Sequence, residues 1–83
     1  MGGGTDSATR LRALLAELDE CAQHESWAAD ELAASAWDHA RWGLADMADE
    51  LRRLARRHRV KALITAGQAA ACRVRVEAAR RSG

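Results

Sequence analysis

The fold of this chain depends on the backbone conformation of residues 33–58, AASAWDHARWGLADMADELRRLARRH. Apolar side chains recur there at helical spacing for about seven turns. The stripe that they form consists of Ala33, Trp37, Ala40, Leu44, Met47, Leu51, Leu54 and His58. This pattern predicts one long helix from about Trp27 to His58, with the stripe as its buried face.

Gly43 interrupts the stripe and leaves more than one path open. A glycine in a helix interior lowers helix stability by about 1 kcal/mol relative to alanine. At about 100° per residue, Trp42 lies roughly 160° from Leu44, on the side away from the stripe. We predict a continuous helix in which Trp42 faces outward. In the alternatives, the helix kinks at Gly43 and Trp42 turns inward, or neighbouring helices bury both faces of a long central helix.

The residues before this stretch predict a first helix and a short turn. One helical face carries Leu11, Leu14, Leu15, Leu18 and Ala22. This face predicts a helix from about Ser7 to His24. Ser26 is a good N-cap, and Asp30 and Glu31 follow it where acidic groups favour the first turn of a helix. Helices one and two are therefore expected to form a hairpin.

The residues after this stretch predict a further helix. Its apolar face consists of Val60, Leu63, Gly67, Ala70, Ala71, Val74 and Ala78. Thr65 and Gln68 have the spacing of a capping box, which would start this helix at Ala66. The second turn is therefore predicted within residues 59–66.

These elements predict an all-α fold, a small up-down bundle of three helices with a long central helix. The count becomes four if the central helix breaks at Gly43. The absence of proline agrees with a chain that is helical almost throughout. We expect residues 1–6 to form a flexible tail and residues 7–81 to form a single helical domain.

The composition predicts self-association. After Met1 the chain has only seventeen large apolar residues, against twenty alanines among its 83 residues. So small a set of bulky side chains makes a lone domain marginal, and a second subunit would stabilise it. We therefore predict a non-catalytic helical protein–protein interaction or adaptor module, with a homodimer or a helical protein as its partner.

Charge is divided between the two halves of the sequence. Residues 1–50 carry eleven acidic groups against three arginines, whereas residues 51–83 carry ten Arg or Lys against the single Glu77. Fields this strong must be neutralised by the other half, by a second copy or by a polyanion. We expect residues 73–81 to fold back onto the acidic region built from residues 17–25 and 30–38, which leaves a basic pole at the second turn.

The predicted partner-binding site combines Trp42 with that basic pole. Its cations are Arg52, Arg53, Arg56, Arg57, Arg59 and Lys61. An outward tryptophan is typical of an interface anchor, and arginine suits phosphate or carboxylate. The alternative function is a nucleic-acid-associated accessory protein that uses the segment from Arg52 to Lys61, although the acidic half would repel nucleic acid. The segment also fits a solvated helix face whose cations favour the helix C-terminus.

The sequence contains no pattern that indicates catalysis, a cofactor or membrane insertion. A nucleophile with a base, a phosphate loop and a dinucleotide fingerprint are all missing from it. Cys21, His24, His39 and His58 lack the paired spacing of structural zinc ligands. We therefore expect no enzyme activity, no cofactor and no metal, and we expect Cys21 and Cys72 to be buried free thiols. A signal segment and a membrane-length apolar run are also missing, which favours a cytoplasmic location.

Overall fold

The chain folds into an antiparallel pair of long helices. The computed structural model describes the backbone of residues 3–82 and the side chains of residues 6–82. Helix α1 runs over Gly3–Arg41 and helix α2 over Ala45–Ser82. Together they form a rod whose Cα atoms extend over 64 × 14 × 12 Å. Residues 3–82 contain no strand.

The predicted all-α class is confirmed, but the predicted three-helix bundle is wrong. Helix α1 continues through Ser26, where the sequence predicts the first turn, and α2 continues through residues 59–66, where it predicts the second. Neither place holds a glycine or a proline, and a capping side chain alone does not end a helix among strong helix formers. The four-helix alternative fails for the same reason, although the break at Gly43 that it requires is present.

Helix α1 also begins before the predicted start near Ser7. Its first residue is Gly3, within the segment 1–6 that the sequence predicts to be a flexible tail. Met1 and Gly2 of that segment lie outside the described residues. The flexibility of the tail stays a prediction.

The turn between the helices is built around Gly43. Its φ angle of 80° lies in the left-handed region that glycine adopts without steric cost. The Gly43 amide donates to the Ala40 carbonyl at 3.1 Å, and the Leu44 amide donates to the His39 carbonyl at 2.9 Å. These two bonds form a Schellman motif, which satisfies carbonyls at the end of α1. The prediction of a continuous helix through Gly43 is therefore wrong, because the glycine ends α1 and reverses the chain.

Substitutions at the two internal glycines should change stability in opposite directions. Gly43→Ala forces a Cβ into the left-handed region and should lower the free energy of unfolding by about 1–2 kcal/mol. Gly67 lies inside α2, where an added Cβ meets no atom within 4 Å. Gly67→Ala should therefore raise the free energy of unfolding by up to about 1 kcal/mol. Urea denaturation followed by circular dichroism measures both. Equal effects of the two substitutions would contradict this account of the turn.

Alanine at every seventh position forms the seam between the helices. The buried residues at this spacing are Ala29 and Ala36 on α1 and Ala48, Ala55, Ala62, Ala69 and Val76 on α2. A seven-residue repeat keeps one edge of each helix against its partner along the whole length of the pair, as in a coiled coil. The fully buried positions therefore hold mostly methyl groups, and the bulky side chains are half-buried beside them or exposed. The half-buried leucines are Leu11, Leu15, Leu18, Leu32 and Leu51.

The buried face differs from the stripe that the sequence predicts. In that stripe Trp37, Leu44 and Met47 are exposed, and only Leu51 and His58 are half-buried. The prediction follows the largest apolar side chains, whereas the antiparallel pairing selects small side chains that repeat every seven residues.

Two contacts between the helices fix their register. The buried Cys72 thiol donates to the Leu11 carbonyl at 3.4 Å, and His58 Nδ1 lies 2.5 Å from the Glu25 carboxylate. Fourteen residues separate Leu11 from Glu25, and fourteen separate His58 from Cys72. Both contacts therefore belong to one register, two heptads apart, and the prediction that Cys72 is buried is confirmed.

Candidate interaction surfaces

Large apolar side chains are exposed on three surfaces of the hairpin. The first, which we call the side face, carries Leu14, Trp42, Met47 and Leu54. The second, which we call the outer stripe, carries Val60, Leu63, Ile64 and Val74. The third is the back of α1, with Trp27 and Trp37. Leu44 is exposed at the turn.

Both helices contribute to the side face. Two rows at seven-residue spacing form it. One consists of Leu14, Cys21, Ala28 and Ser35 on α1, followed by Trp42 in the turn; the other consists of Met47, Leu54, Lys61, Gln68 and Arg75 on α2. A groove of about 400 Å³ opens between the rows, with Leu14 and Leu18 on one side and Gln68 and Arg75 on the other. Because neither row has a charged residue between Ala28 and Leu54, the half of the face nearer the turn is uncharged.

The outer stripe lies on the side of α2 opposite the seam. Its residues are Val60, Leu63, Ile64, Gly67, Ala70, Ala71, Val74 and Ala78. The sequence groups most of them on one helical face but expects that face to be buried. It is exposed instead, with 69% of the Leu63 surface and 69% of the Val74 surface accessible. Alanines of the seam already occupy the opposite side, so this face has no neighbour among residues 6–82.

Gly67 is not required by the hairpin itself. It lies in the middle of the outer stripe, and a Cβ placed on it would meet no atom within 4 Å. Glycine inside a helix costs about 1 kcal/mol relative to alanine. The isolated hairpin would therefore be more stable with alanine at this position.

Trp42 is exposed, as the sequence predicts, with 68% of its surface accessible. The physical reason differs from the prediction. Trp42 directly follows the last residue of α1, and its ring packs against that of His39, with centroids 5.2 Å apart. A large aromatic group at the end of the rod is therefore available to a partner.

The predicted basic site lies along the half of α2 nearer the turn, not at a pole of the molecule. Arg52 pairs with Asp49 at 3.0 Å, and Arg53 pairs with Glu50, each within α2. Arg59 reaches across to Asp30 of α1 at 3.0 Å.

The remaining cations of this segment are Arg56, Arg57 and Lys61. All three are exposed, and none forms an ion pair with the residues that the structure describes. The structure thus divides the predicted cluster into paired and unpaired cations, and Trp42 lies apart from both groups.

The expected compensation between the C-terminal arginines and the acidic residues 17–25 is found for one arginine. Arg73 binds the Asp19 carboxylate with both of its oxygens within reach, at 2.9 and 3.2 Å. Arg80 instead pairs with Glu77 inside α2 at 3.4 Å. The charge neutralisation therefore runs along the flank of the hairpin rather than at one end.

Charge reversal should distinguish the paired arginine from a free one. Arg73→Glu places a second carboxylate beside that of Asp19 and should lower the free energy of unfolding by up to about 1 kcal/mol at low salt. The loss should shrink in 1 M salt, because exposed pairs are screened. Arg57→Glu, the matched control, should leave stability nearly unchanged. Urea denaturation at both salt concentrations would test this, and equal losses would show that the pairing of the helices is wrong.

Glu25 and His58 form a polar pair inside the seam. Glu25 takes the place that leucine has one heptad before and after it, at Leu18 and Leu32. Its side chain is only 20% exposed and that of His58 only 32%. The hydrogen bond from His58 lowers the pKa of the Glu25 carboxyl, while burial raises it. The positive charges of His58, Lys61 and His24 lower it further. A polar pair in one layer of an apolar seam favours a single register.

The Glu25 contribution to stability should depend on pH. Because the folded state lowers the pKa of Glu25 below its ordinary 4.5, the contribution is present above pH 4.5 and is lost as the pH falls through the lowered value. Denaturation curves collected below pH 5 should show a steeper loss of stability for the natural protein than for Glu25→Gln. Glu31→Gln, an exposed position on the same helix, is the control and should keep the natural slope.

The other titratable side chains that the structure describes do not form a metal-binding cluster. Among residues 6–82 no three His, Cys, Asp or Glu side chains are grouped closely enough to hold a metal ion. Cys21 is exposed, so the prediction of a buried thiol is wrong at that position. It lies beside Glu17, His24 and Glu25 on a shallow groove of about 290 Å³.

Comparisons with known proteins give no further assignment of these surfaces. The chain matches no protein family, no curated protein and no solved structure. In the described part of the chain, neither helix has the apolar length that crossing a bilayer requires. The function must therefore be argued from the surfaces themselves.

Proposed function

We propose that the protein is a non-catalytic helical interaction module that forms a homodimer through its side face. The observation that supports this most is the division of side chains by size. Alanine fills the seam, while Leu14, Trp42, Met47 and Leu54 stand exposed on one face that both helices build. Burial of such side chains stabilises by about 1.5–3 kcal/mol each, which the isolated hairpin does not gain in full.

The dimensions of the side face suit a second copy. The rod is 64 Å long, and a strip of that length and the width of two helices can supply the roughly 800 Å² per partner of a standard interface. Two hairpins that pack face to face give a four-helix bundle, an arrangement with a proper core. The same surface on each copy makes the contact self-complementary and closed.

Trp42 gives the side face an anchor near the turn. Large aromatic residues dominate the energetics of many interfaces, and Trp42 is largely exposed in its own hairpin. Its row partners Ala28 and Ser35 are small, so a neighbouring helix can approach closely between them.

Nucleic-acid binding by the segment from Arg52 to Lys61 is the weaker alternative. Arg52, Arg53 and Arg59 are already paired with carboxylates. The acidic helix α1 lies alongside and would repel phosphates. Random-sequence DNA that binds at low salt, with a steep loss of affinity as salt rises, would favour this alternative over ours.

The dimer should be visible by sedimentation velocity at micromolar concentration, at twice the protomer mass of 9.0 kDa. Trp42→Ala should weaken the association by about 1–3 kcal/mol while helix content stays nearly the same. Leu54→Glu places a charge in the uncharged half of the face and should give a monomer.

Leu63→Glu on the outer stripe is the matched control for the dimer and should leave it intact. A natural protein that remains a stable, cooperatively melting monomer at these concentrations would rule out the homodimer. Unfolding caused by Trp42→Ala would place Trp42 in a core rather than at an interface.

A further inference from the structure

Helix α2 is apolar on two opposite sides, and only one of them is covered. The seam side lies against α1, whereas the outer stripe has no neighbour among residues 6–82. Val60, Leu63, Ile64 and Gly67 follow the i, i+3, i+4, i+7 spacing by which one helix receives another. The stripe extends over about five turns, the length of an ordinary docking helix.

Small residues form a notch in the middle of this stripe. Gly67, Ala70 and Ala71 lie between the bulky Leu63 and Ile64 on one side and Val74 on the other. Nothing in the hairpin occupies the space over Gly67. Glycine weakens a helix, so a partner that approaches the backbone at this point would explain its presence. Beyond the notch a shallow groove of about 300 Å³ continues over Ala70 and Ala78.

Unpaired arginines border the stripe. Arg57 and Arg75 lie eighteen residues apart on one flank, which is five full turns, so they point in the same direction from the helix axis. Arg56 lies just before the stripe and Arg81 just after it. None of the four forms an ion pair within the described residues. An apolar strip edged by free cations attracts an apolar surface edged by carboxylates.

The way in which α1 packs on α2 indicates which kind of helix can bind the outer stripe. Helix α1 is acidic, and it contributes Asp19 and Asp30 to pairs with Arg73 and Arg59 at 2.9 and 3.0 Å. The outer stripe repeats the same elements, small residues in the centre and arginines at the edge. We infer that the outer stripe binds an acidic amphipathic helix of another protein, with a bulky apolar side chain over Gly67 and carboxylates against Arg57 and Arg75.

A second copy of α2 suits the stripe less well. It would bring the four free arginines of each copy against one another, and like charges at close range oppose association. Leu63, Gly67 and Val74 lie outside the side face, so this inference does not depend on the proposed homodimer; Arg75 borders both surfaces.

Two synthetic helical peptides provide the probe. The first has three heptads with leucine at the first and fourth positions and glutamate on both flanks; the second has lysine in place of every glutamate. Titrated against the full chain, the glutamate peptide should bind, its affinity should fall as salt rises, and the lysine peptide should not bind.

Substitutions on the stripe test the geometry. Gly67→Leu and Gly67→Ala should both raise the melting temperature, because each residue favours the helix and meets open space. Only Gly67→Leu fills the notch, so it alone should weaken binding of the glutamate peptide by about tenfold or more. The double variant Arg57→Glu, Arg75→Glu should weaken binding and remove most of its salt dependence.

Several results would overturn this inference. They are equal binding of the two peptides, no binding of the glutamate peptide, and an unchanged affinity in Gly67→Leu. Tighter binding to vesicles of anionic phospholipid or to random-sequence single-stranded DNA would assign the stripe to another class of partner. Self-association that Gly67→Leu abolishes and Leu54→Glu does not would assign it to a second copy. Leu54→Glu should keep peptide binding, so failure of the homodimer proposal and failure of this one are separable.

Discussion

The close antiparallel packing of two helices along an alanine seam determines the rest of this structure. Small side chains at every seventh position of α2, facing Ala29 and Ala36 of α1, allow close contact between the helices. The same packing leaves no room between the helices for Leu63, Met47 or tryptophan. The fully buried core is therefore formed mostly by small side chains, while most of the large apolar residues are exposed and five leucines are half-buried. A hairpin built in this way is suited to association with other helices.

Ion pairs between the helices add to the stability of this packing but do not determine it. Helix α1 is acidic and α2 is basic, and the cross-helix pairs Asp19–Arg73 and Asp30–Arg59 lie on the exposed flank, where each is worth little. The more specific polar contact is Glu25 with His58, since both lie beside the seam and only one register brings them together. The surplus of arginine on α2 remains after these pairs are made, and it marks the outer stripe as a surface for a negatively charged partner.

The sequence was sufficient to predict the helical class, the exposure of Trp42 and the common face from Val60 to Ala78. It did not reveal the number of helices, because hydrophobic size and spacing suggested a stripe through Trp37 and Met47 that the fold does not bury. The signal for the true seam is present in Ala48, Ala55, Ala62 and Ala69, but alanine recurs throughout the chain, which conceals a repeat of seven. The left-handed φ of Gly43 is likewise a property of the folded turn, and sequence alone leaves a glycine free to continue a helix. The side face needs both helices in register, so it could not be recognised before their pairing was known.

The position of the turn determines the order in which contacts between the two helices form. Gly43 divides the chain into helices of 39 and 38 residues, so contacts next to the turn join residues close in sequence, whereas Glu25 and His58 are 33 residues apart and Leu11 and Cys72 are 61 apart. The entropy lost on closing a loop grows with its length, so the seam closes most readily beside Gly43 and each closed layer shortens the loop for the next. Opening proceeds in the reverse order, from the far end toward the turn. Trp42, at the point that closes first and opens last, therefore belongs to the most persistently ordered part of the molecule, even though it is among the most exposed.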